Sequence, residues 1–499
     1  MLAERRPTYA AIAALGLLRI LAGVSLGFRP FDDTYITFRY ARNLALGEGF
    51  VYNGGDPVLG TTSPLWTLML AGSQILGGSM EAASLWIALV ADAGTALVLV
   101  RLLNRLGYPP PIPLAAAVVL LFSFDFLSIS RSGMEESIFV FLVMAALERL
   151  AAGSPVWAAT LSALACLARP EGIVLIAVGA VIAWLRRSSG SPVRTWLAMG
   201  SIVTILGIWA TYAAITFGSA IPQSIRAKAA ASDLLLTWFS WSNVALFFIK
   251  GQYGGEIFTR TYLQLTPVTT VLALVATLSL LMQRRPRHDA AHERIVLLLM
   301  FPASYLGGHA LAGAFTYHPW YYAPLYPFLA ALTVIGVARL ESLTRRSLVL
   351  GTCAVLVSAQ LVAAYAVKLP RDRSFWLEGY RQLASTLPRH PVVTVAAPEI
   401  GVVGWVVWPS RVLDLVGLVS PEAVGIPPLE AIKRGAPDYL VLRTDNAAEL
   451  LRDADADQWF RRHYTRLQTI SDPHEPREFR TYQKVPVATH ATDSASTVR

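Results

Sequence analysis

Charge is scarce in this sequence. Asp, Glu, Lys and Arg make up 15% of 499 residues, against 54% hydrophobic, and the mean hydropathy is +0.49. That balance excludes an ordinary soluble domain, and the long apolar runs imply a polytopic helical membrane protein. Cysteine is nearly missing. Cys166 and Cys353 both lie inside apolar runs, which excludes a disulfide framework and thiol chemistry. The 8 histidines are scattered, without the Cys/His spacing of a metal site. No phosphate-cradling Gly-rich loop occurs, so no nucleotide is expected. The net charge of +9 does not point to nucleic acid, because the basic residues cluster between apolar runs, as in cytoplasmic loops.

The basic clusters also set a topology. Arg5 and Arg6 precede a first apolar run over roughly residues 10–26, which is read as an uncleaved anchor with a cytoplasmic N-terminus. The run 63–77 is short for a span and is read as a re-entrant or interfacial helix. Further spans are expected at 82–103, 112–130, 134–151, 155–168, 171–186, 195–217, 262–282, 295–313, 319–338 and 347–368. This count of about 11 places the basic connections near Arg105, Arg149, Arg187, Arg285 and Arg345 on one side. Residues 1–369 would thus form a membrane domain. From 370 to 499 the chain turns polar and reads as a soluble extracytoplasmic α/β domain with a disordered tail. Strands are expected at 391–395 and 438–442, and helices at 375–386 and 447–460.

The most informative stretch is 28–66, which follows the first span and opens with Asp32 and Asp33. Acidic pairs at a membrane boundary are costly and mark chemistry or ion handling. Residues 34–46 carry apolar groups at helical spacing, with Arg39 and Arg42 between them. Neighbours on a helix point about 100° apart, so one Asp can face a cavity while the other caps or binds an ion. The plainer alternative is that Asp32 caps the helix that follows.

Other candidates lie on the same expected side. Glu135 and Glu136 open a span, where acids also simply favour a helix N-terminus. Arg226 and Lys228 run against the positive-inside trend and suit a lipid phosphate, whether of a substrate or of any phospholipid. His309, His318, Tyr317, Trp320, Tyr321, Tyr322 and Tyr326 surround a short turn. The aromatics there also fit an ordinary interfacial belt. Arg169 and Glu171 are placed to pair with each other at a helix corner.

Asp-Asp after the first span, an amphipathic helix and a return through Thr62-Ser63-Pro64-Leu65-Trp66 resemble the GT-C glycosyltransferases. The stretches DDTYITFRYARNLALGEGFVYN and TTSPLWTL are most similar to the bacterial group with the terminal arabinofuranosyltransferases of actinobacterial walls. ARPEG at 168–172, FGSAIPQSIRAK at 217–228, HPWYYAPLYPFLA at 318–330 and APEIGVVGWVVWPSRVLDLVGLVSP at 397–421 follow in the family's order. Two places depart from it: Arg226 stands where an aromatic or polar residue is usual, and Asn53-Gly54-Gly55-Asp56 replaces Pro-Gly-Glu.

The resemblance implies a GT-C fold in a bacterial cytoplasmic membrane, active at the outer face. The donor would be a polyprenyl-phosphate sugar, arabinofuranose or another pentose or hexose, and the acceptor a cell-envelope glycan, lipid or protein. It implies Asp32 as base, with Asp33 orienting it or holding a divalent cation such as Mg, Mn or Ca, and Glu135 sharing the base's environment. Lys228, Arg226 and His318 would hold the donor phosphate. Arg39, Arg169, Glu171, Tyr317 and Tyr321 would line the substrate. Membrane lipids are the other expected partners, and a monomer is expected. The rival reading is a transporter or flippase of lipid-linked saccharides, which would place polar groups near the bilayer midplane.

Overall fold

The computed structural model describes residues 2–186, 191–230, 266–282, 294–311, 319–341, 375–473 and 475–486, with Gly351, Val355 and Ser358. The chain opens with α1 (Leu2–Leu26), α2 (Asp32–Ala45), α3 (Pro64–Ile75) and α4 (Met80–Arg105). Next come α5 (Ile112–Leu121), α6 (Phe124–Ser130), α7 (Glu136–Ala151), α8 (Pro155–Ala168), α9 (Ile173–Leu185), α10 (Pro192–Phe217) and α11 (Gln223–Ala230). The described remainder of the helical part is α12 (Thr266–Leu281), α13 (Phe301–Leu311) and α14 (Tyr326–Glu341).

Among the described residues, four helices are long and apolar enough to cross a membrane: Tyr9–Leu26, Met80–Arg105, Pro192–Phe217 and Trp320–Leu340. The α5–α6 pair, bent by 58°, would make a fifth. This falls short of the eleven spans expected. For two of the expected spans the physical reason is length: α8 has 14 residues and α9 has 13, and at 1.5 Å per residue neither reaches across about 30 Å of hydrocarbon. The span expected at 347–368 lies outside the described residues, apart from three isolated positions. The segment expected to be re-entrant or interfacial is α3, a helix of 12 residues.

The C-terminal part carries α15 (Phe375–Ser385), β1 (Thr394–Ala397), α16 (Gly401–Val406), β2 (Arg411–Asp414), α17 (Pro428–Gly435) and β3 (Tyr439–Arg443). It ends with α18 (Ala448–Ala456), α19 (Gln458–His463), β4 (Tyr464–Ser471) and β5 (Glu478–Lys484). The strands form one sheet of order β2-β1-β3-β5-β4, in which β1 runs parallel to both neighbours and the β5 pairings are antiparallel. The central strands β1 and β3 are apolar on both faces, as expected where helices cover a parallel pairing.

What positions the site is the distribution of cores. One cluster fills the helical part between α4, α5, α7 and α14. A second joins Tyr35, Phe38, Tyr40, Phe50, Tyr52 and Trp66 to Tyr380, Val395, Val402, Val403, Val407 and Phe479. The loop after the first helix therefore shares its hydrophobic interior with the C-terminal sheet. Phe38 and Tyr40 are fully buried there, and each such side chain contributes roughly 2 kcal/mol of burial.

Candidate active site

Two loops meet directly beyond α1. Arg131, after α6, donates from Nε to the Gly27 carbonyl at 2.7 Å and from Nη2 to the Leu26 carbonyl at 2.6 Å. The Arg29 amide donates back to the Arg131 carbonyl at 2.8 Å. Thr34 Oγ1 donates to the Ser132 carbonyl at 2.7 Å, and Trp66 Nε1 to the Gly133 carbonyl at 3.1 Å. Gly133 has φ +82°, and any Cβ there would press on Phe28 and Thr34. Glycine allows both the left-handed backbone and this close approach. The segments holding Asp32 and Glu135 are thus fastened together.

Asp32 is the first residue of α2 and is only 6% exposed. It does not cap its own helix. Its Oδ2 accepts the Gly401 N–H and its Oδ1 the Val402 N–H, both at 2.8 Å, so it caps α16 in the C-terminal part. Burial pushes its pKa up to about 8, with further upward pushes from the charges of Glu399 and Asp33 and opposing pulls from the two amides. A carboxylate has about four lone-pair sites, and two remain for a proton donor. Such a carboxyl, poised near neutral pH, has the properties of a general base. Asp33, next to it, faces outward and is exposed.

Glu399 lies in the stretch 397–421 but carries no local signal of its own in the sequence. It accepts from Asn446 Nδ2 at 2.7 Å and Arg443 Nη1 at 3.2 Å, and burial raises its pKa. Of the two acids that push on Asp32, this residue has the larger effect and Asp33 the smaller. Glu135, expected in that role, is bonded elsewhere.

Arg169 gathers the other carboxylates. Its Nη1 lies 2.9 Å from both Glu135 Oε1 and Glu136 Oε1, and its Nη2 lies 3.1 Å from Glu171 Oε1. His309 Nε2 is 3.7 Å from the same Glu171 oxygen. The expected Arg169–Glu171 pair exists but is part of a larger buried network. Tyr321 completes it, with the Arg169 guanidinium 5.5 Å from its ring centre. Glu136 Oε2, Glu171 Oε2 and Arg169 Nε are buried with no hydrogen-bond partner among the described residues.

Trp320 links the two groups: its ring lies 4.9 Å from that of Phe31 and 6.3 Å from that of Tyr321. Tyr317 and His318, just before it, lie outside the described residues, as does the side chain of Lys228. Arg226 is exposed on α11 and donates from Nη2 to Ser219 Oγ at 2.6 Å. The start of α11 is anchored by the Gln223 amide, which donates to the Leu59 carbonyl at 2.6 Å.

Arg39 corrects an expectation. Instead of lining substrate it is 1% exposed, donating to the carbonyls of Tyr52 (2.8 Å), Ser410 (2.7 Å) and Gly404, and to Asn53 Oδ1 (3.3 Å). It rivets α2 to the C-terminal part. As for a divalent cation at Asp33, no group of three or more His, Cys, Asp or Glu side chains among the described residues is placed to hold a metal. Both Asp32 oxygens accept backbone N–H groups, so no step is derived through a metal.

A family model described as a domain of unknown function (DUF8728) matches residues 375–490. No curated protein matches the chain. Among solved structures, ArnT from Cupriavidus metallidurans bound to undecaprenyl phosphate is similar with a TM-score of 0.57 at 12% identity, over 97% of this chain and 98% of that one. An Archaeoglobus fulgidus oligosaccharyltransferase tethered with an acceptor peptide matches with a TM-score of 0.51 at 12% identity, over 95% and 74%. The mycobacterial arabinofuranosyltransferase AftD matches at 0.50 and 14% identity, with 95% of this chain on 41% of that one. The chain shares the fold of these structures.

Proposed function

We propose that the protein is a glycosyltransferase that takes a sugar from a polyprenyl-phosphate donor at the outer face of a bacterial cytoplasmic membrane. The observation that carries this reading is Asp32: a buried carboxyl directly beyond the first apolar helix, with a raised pKa and two backbone N–H groups as its hydrogen-bond donors. The fold likeness to ArnT, whose structure holds undecaprenyl phosphate, supports a lipid-linked donor.

A polyprenyl phosphate is already a good leaving group at neutral pH, so the donor needs no acid. The acceptor hydroxyl oxygen attacks the anomeric carbon, and the bond from that carbon to the phosphate oxygen breaks. Its electron pair leaves with the phosphate while Asp32 takes the hydroxyl proton. A positioned base supplies roughly 10²–10⁴-fold in rate. Cations must receive the charge that grows on the phosphate, and Lys228, Arg226 and His318 are assigned that role. Direct displacement inverts the anomeric centre. Arabinofuranose is the sugar assigned first, with other pentoses and hexoses behind it, and a cell-envelope glycan, lipid or protein as acceptor.

A second reading, transport of a lipid-linked saccharide, draws on a charged pair inside the apolar helices. Arg19 of α1 donates from Nε to Asp92 Oδ2 of α4 at 2.9 Å, and both are at most 2% exposed. Intramembrane charges often mark a pathway. Here, however, Arg19 also donates to the Leu121 carbonyl at 2.8 Å and to Ser130 Oγ at 3.1 Å, which ties it into helix packing.

The deciding experiment incubates the purified full chain with a panel of polyprenyl-phosphate sugars and follows release of free polyprenyl phosphate. Asp32→Asn should slow release roughly 10³-fold while donor lipid still binds. Undiminished release by Asp32→Asn removes the base assignment. Donor flipping in vesicles with no release favours transport.

A further inference from the structure

The part of the chain that matches a domain of unknown function touches the rest of the protein in a particular way. Its segment 399–412 meets the loop and helix after α1 through buried polar bonds, and two of these end on one carboxylate. Gly401 and Val402 give their N–H groups to Asp32. Tyr52 Oη donates to the Ile400 carbonyl at 2.7 Å. Asn53 uses its amide as a strand edge would, donating to the Val412 carbonyl and accepting the Val412 N–H, both at 2.9 Å. Arg39 closes the set on the Gly404 and Ser410 carbonyls.

There is no slack in this seam. A Cβ on Gly401 would fall inside the backbone carbonyl of Asp32, and one on Gly404 would collide with Tyr52 Oη. Asp32, Arg39, Tyr52 and Asn53 are each at most 6% exposed. A module that bound glycan on its own would need only a loose, wet contact, since interfaces between independent domains are more polar and mobile.

We propose that segment 399–412 is a positioning element of the catalytic site, holding the Asp32 carboxylate through the Gly401 and Val402 N–H groups. This rests on the transferase reading given above and assigns the C-terminal part a role in the reaction itself. Neutral backbone donors suit the task. They fix the two oxygens in direction without supplying the full positive charge that would hold the carboxylate ionised and spoil it as a base. Tyr52, Asn53 and Arg39 act through the segment and not on substrate.

The test uses the full chain with a polyprenyl-phosphate sugar on which the wild type turns over. Gly401→Ala should lower kcat about 100-fold, the cost of misplacing a reacting group by an ångström, with donor KM unchanged. Tyr52→Phe keeps the ring and removes one of the two donors to the Ile400 carbonyl. It should lower kcat severalfold, again at constant KM, and its melting temperature should stay close to wild type because the Ile400 carbonyl keeps the Gly404 N–H. A merely structural role would lower melting temperature and move kcat only through the amount of folded protein. Wild-type kcat in both folded variants overturns the proposal, and Tyr52→Phe alone decides if Gly401→Ala does not fold. A third arm needs no turnover: amide exchange at 401–402 should be slow in the wild type and fast in Asp32→Ala. Equal exchange in the two overturns the positioning claim. Absence of release from every donor by the wild type sinks the transferase reading and leaves the exchange arm to judge this one.

Discussion

Two groups of buried carboxylates sit near each other in this protein, and they are held in opposite ways. Asp32 is held by two backbone N–H groups, with acids as its charged neighbours. Glu135, Glu136 and Glu171 share a single guanidinium, that of Arg169. Dipoles orient a carboxylate and leave it able to take up a proton. An ion pair commits its charge to structure, and breaking one side leaves a buried charge uncompensated. The first arrangement suits a proton acceptor, the second a brace.

The sharpest way to test that contrast is to remove each holder's charge in turn. Asp32→Asn should cost roughly 10³-fold in kcat through loss of the base, while thermal unfolding shows a folded protein. Arg169→Met should do the reverse first, destabilising by about 3–5 kcal/mol because three carboxylates lose their shared cation, as read from a lowered melting temperature. A stable Arg169→Met protein would put both groups in one class and break the comparison.

The pH dependence sharpens it further. With the Asp32 pKa at about 8, turnover should rise with pH through that value and level off above it. For stability the sign is opposite. The folded pKa is raised above its ordinary value of 3.8, so this contribution is complete below that value and is lost as pH rises through about 8. Glu399→Gln removes a charge that pushes the pKa up, and the activity limb should move to lower pH. An unmoved limb would mean that Glu399 does not act on Asp32. The smallest effect should come from Arg39→Lys. A lysine cannot reach the carbonyls of Tyr52, Gly404 and Ser410 together, and chemical denaturation should register a loss on the order of 1–3 kcal/mol.

Much of this was readable before any coordinates. Apolar spacing and two leading acids marked α2, and the start at Asp32 matches the residues that favour a helix N-terminus. The pairing of Arg169 with Glu171 followed from their nearness in sequence. What could not be read was distance in sequence. Asp32 meets Gly401 across 369 residues and Arg169 meets Glu135 across 34, and local periodicity carries no signal for either. Arg39 misled for a related reason. A charged residue on a helix reads as solvent-facing or substrate-facing, and only the tertiary partner reveals that its donors end on main-chain carbonyls. Among the described residues, two of the expected spans are helices of only 14 and 13 residues, a length that apolar runs in the sequence do not fix.

The 369-residue reach of the Asp32–Gly401 bond also bears on how the molecule is made. At synthesis rates of about 5–20 residues per second, the ribosome needs roughly 20 to 70 s to deliver the amides that Asp32 awaits. During that interval Phe38, Tyr40 and Tyr52 have no C-terminal sheet to cover them, and the first extramembrane helix must stand as an unfinished surface. A nascent chain stalled before residue 401 would hold every expected site residue yet lack the grip on its carboxylate, so assembly of the site is a late event in biogenesis.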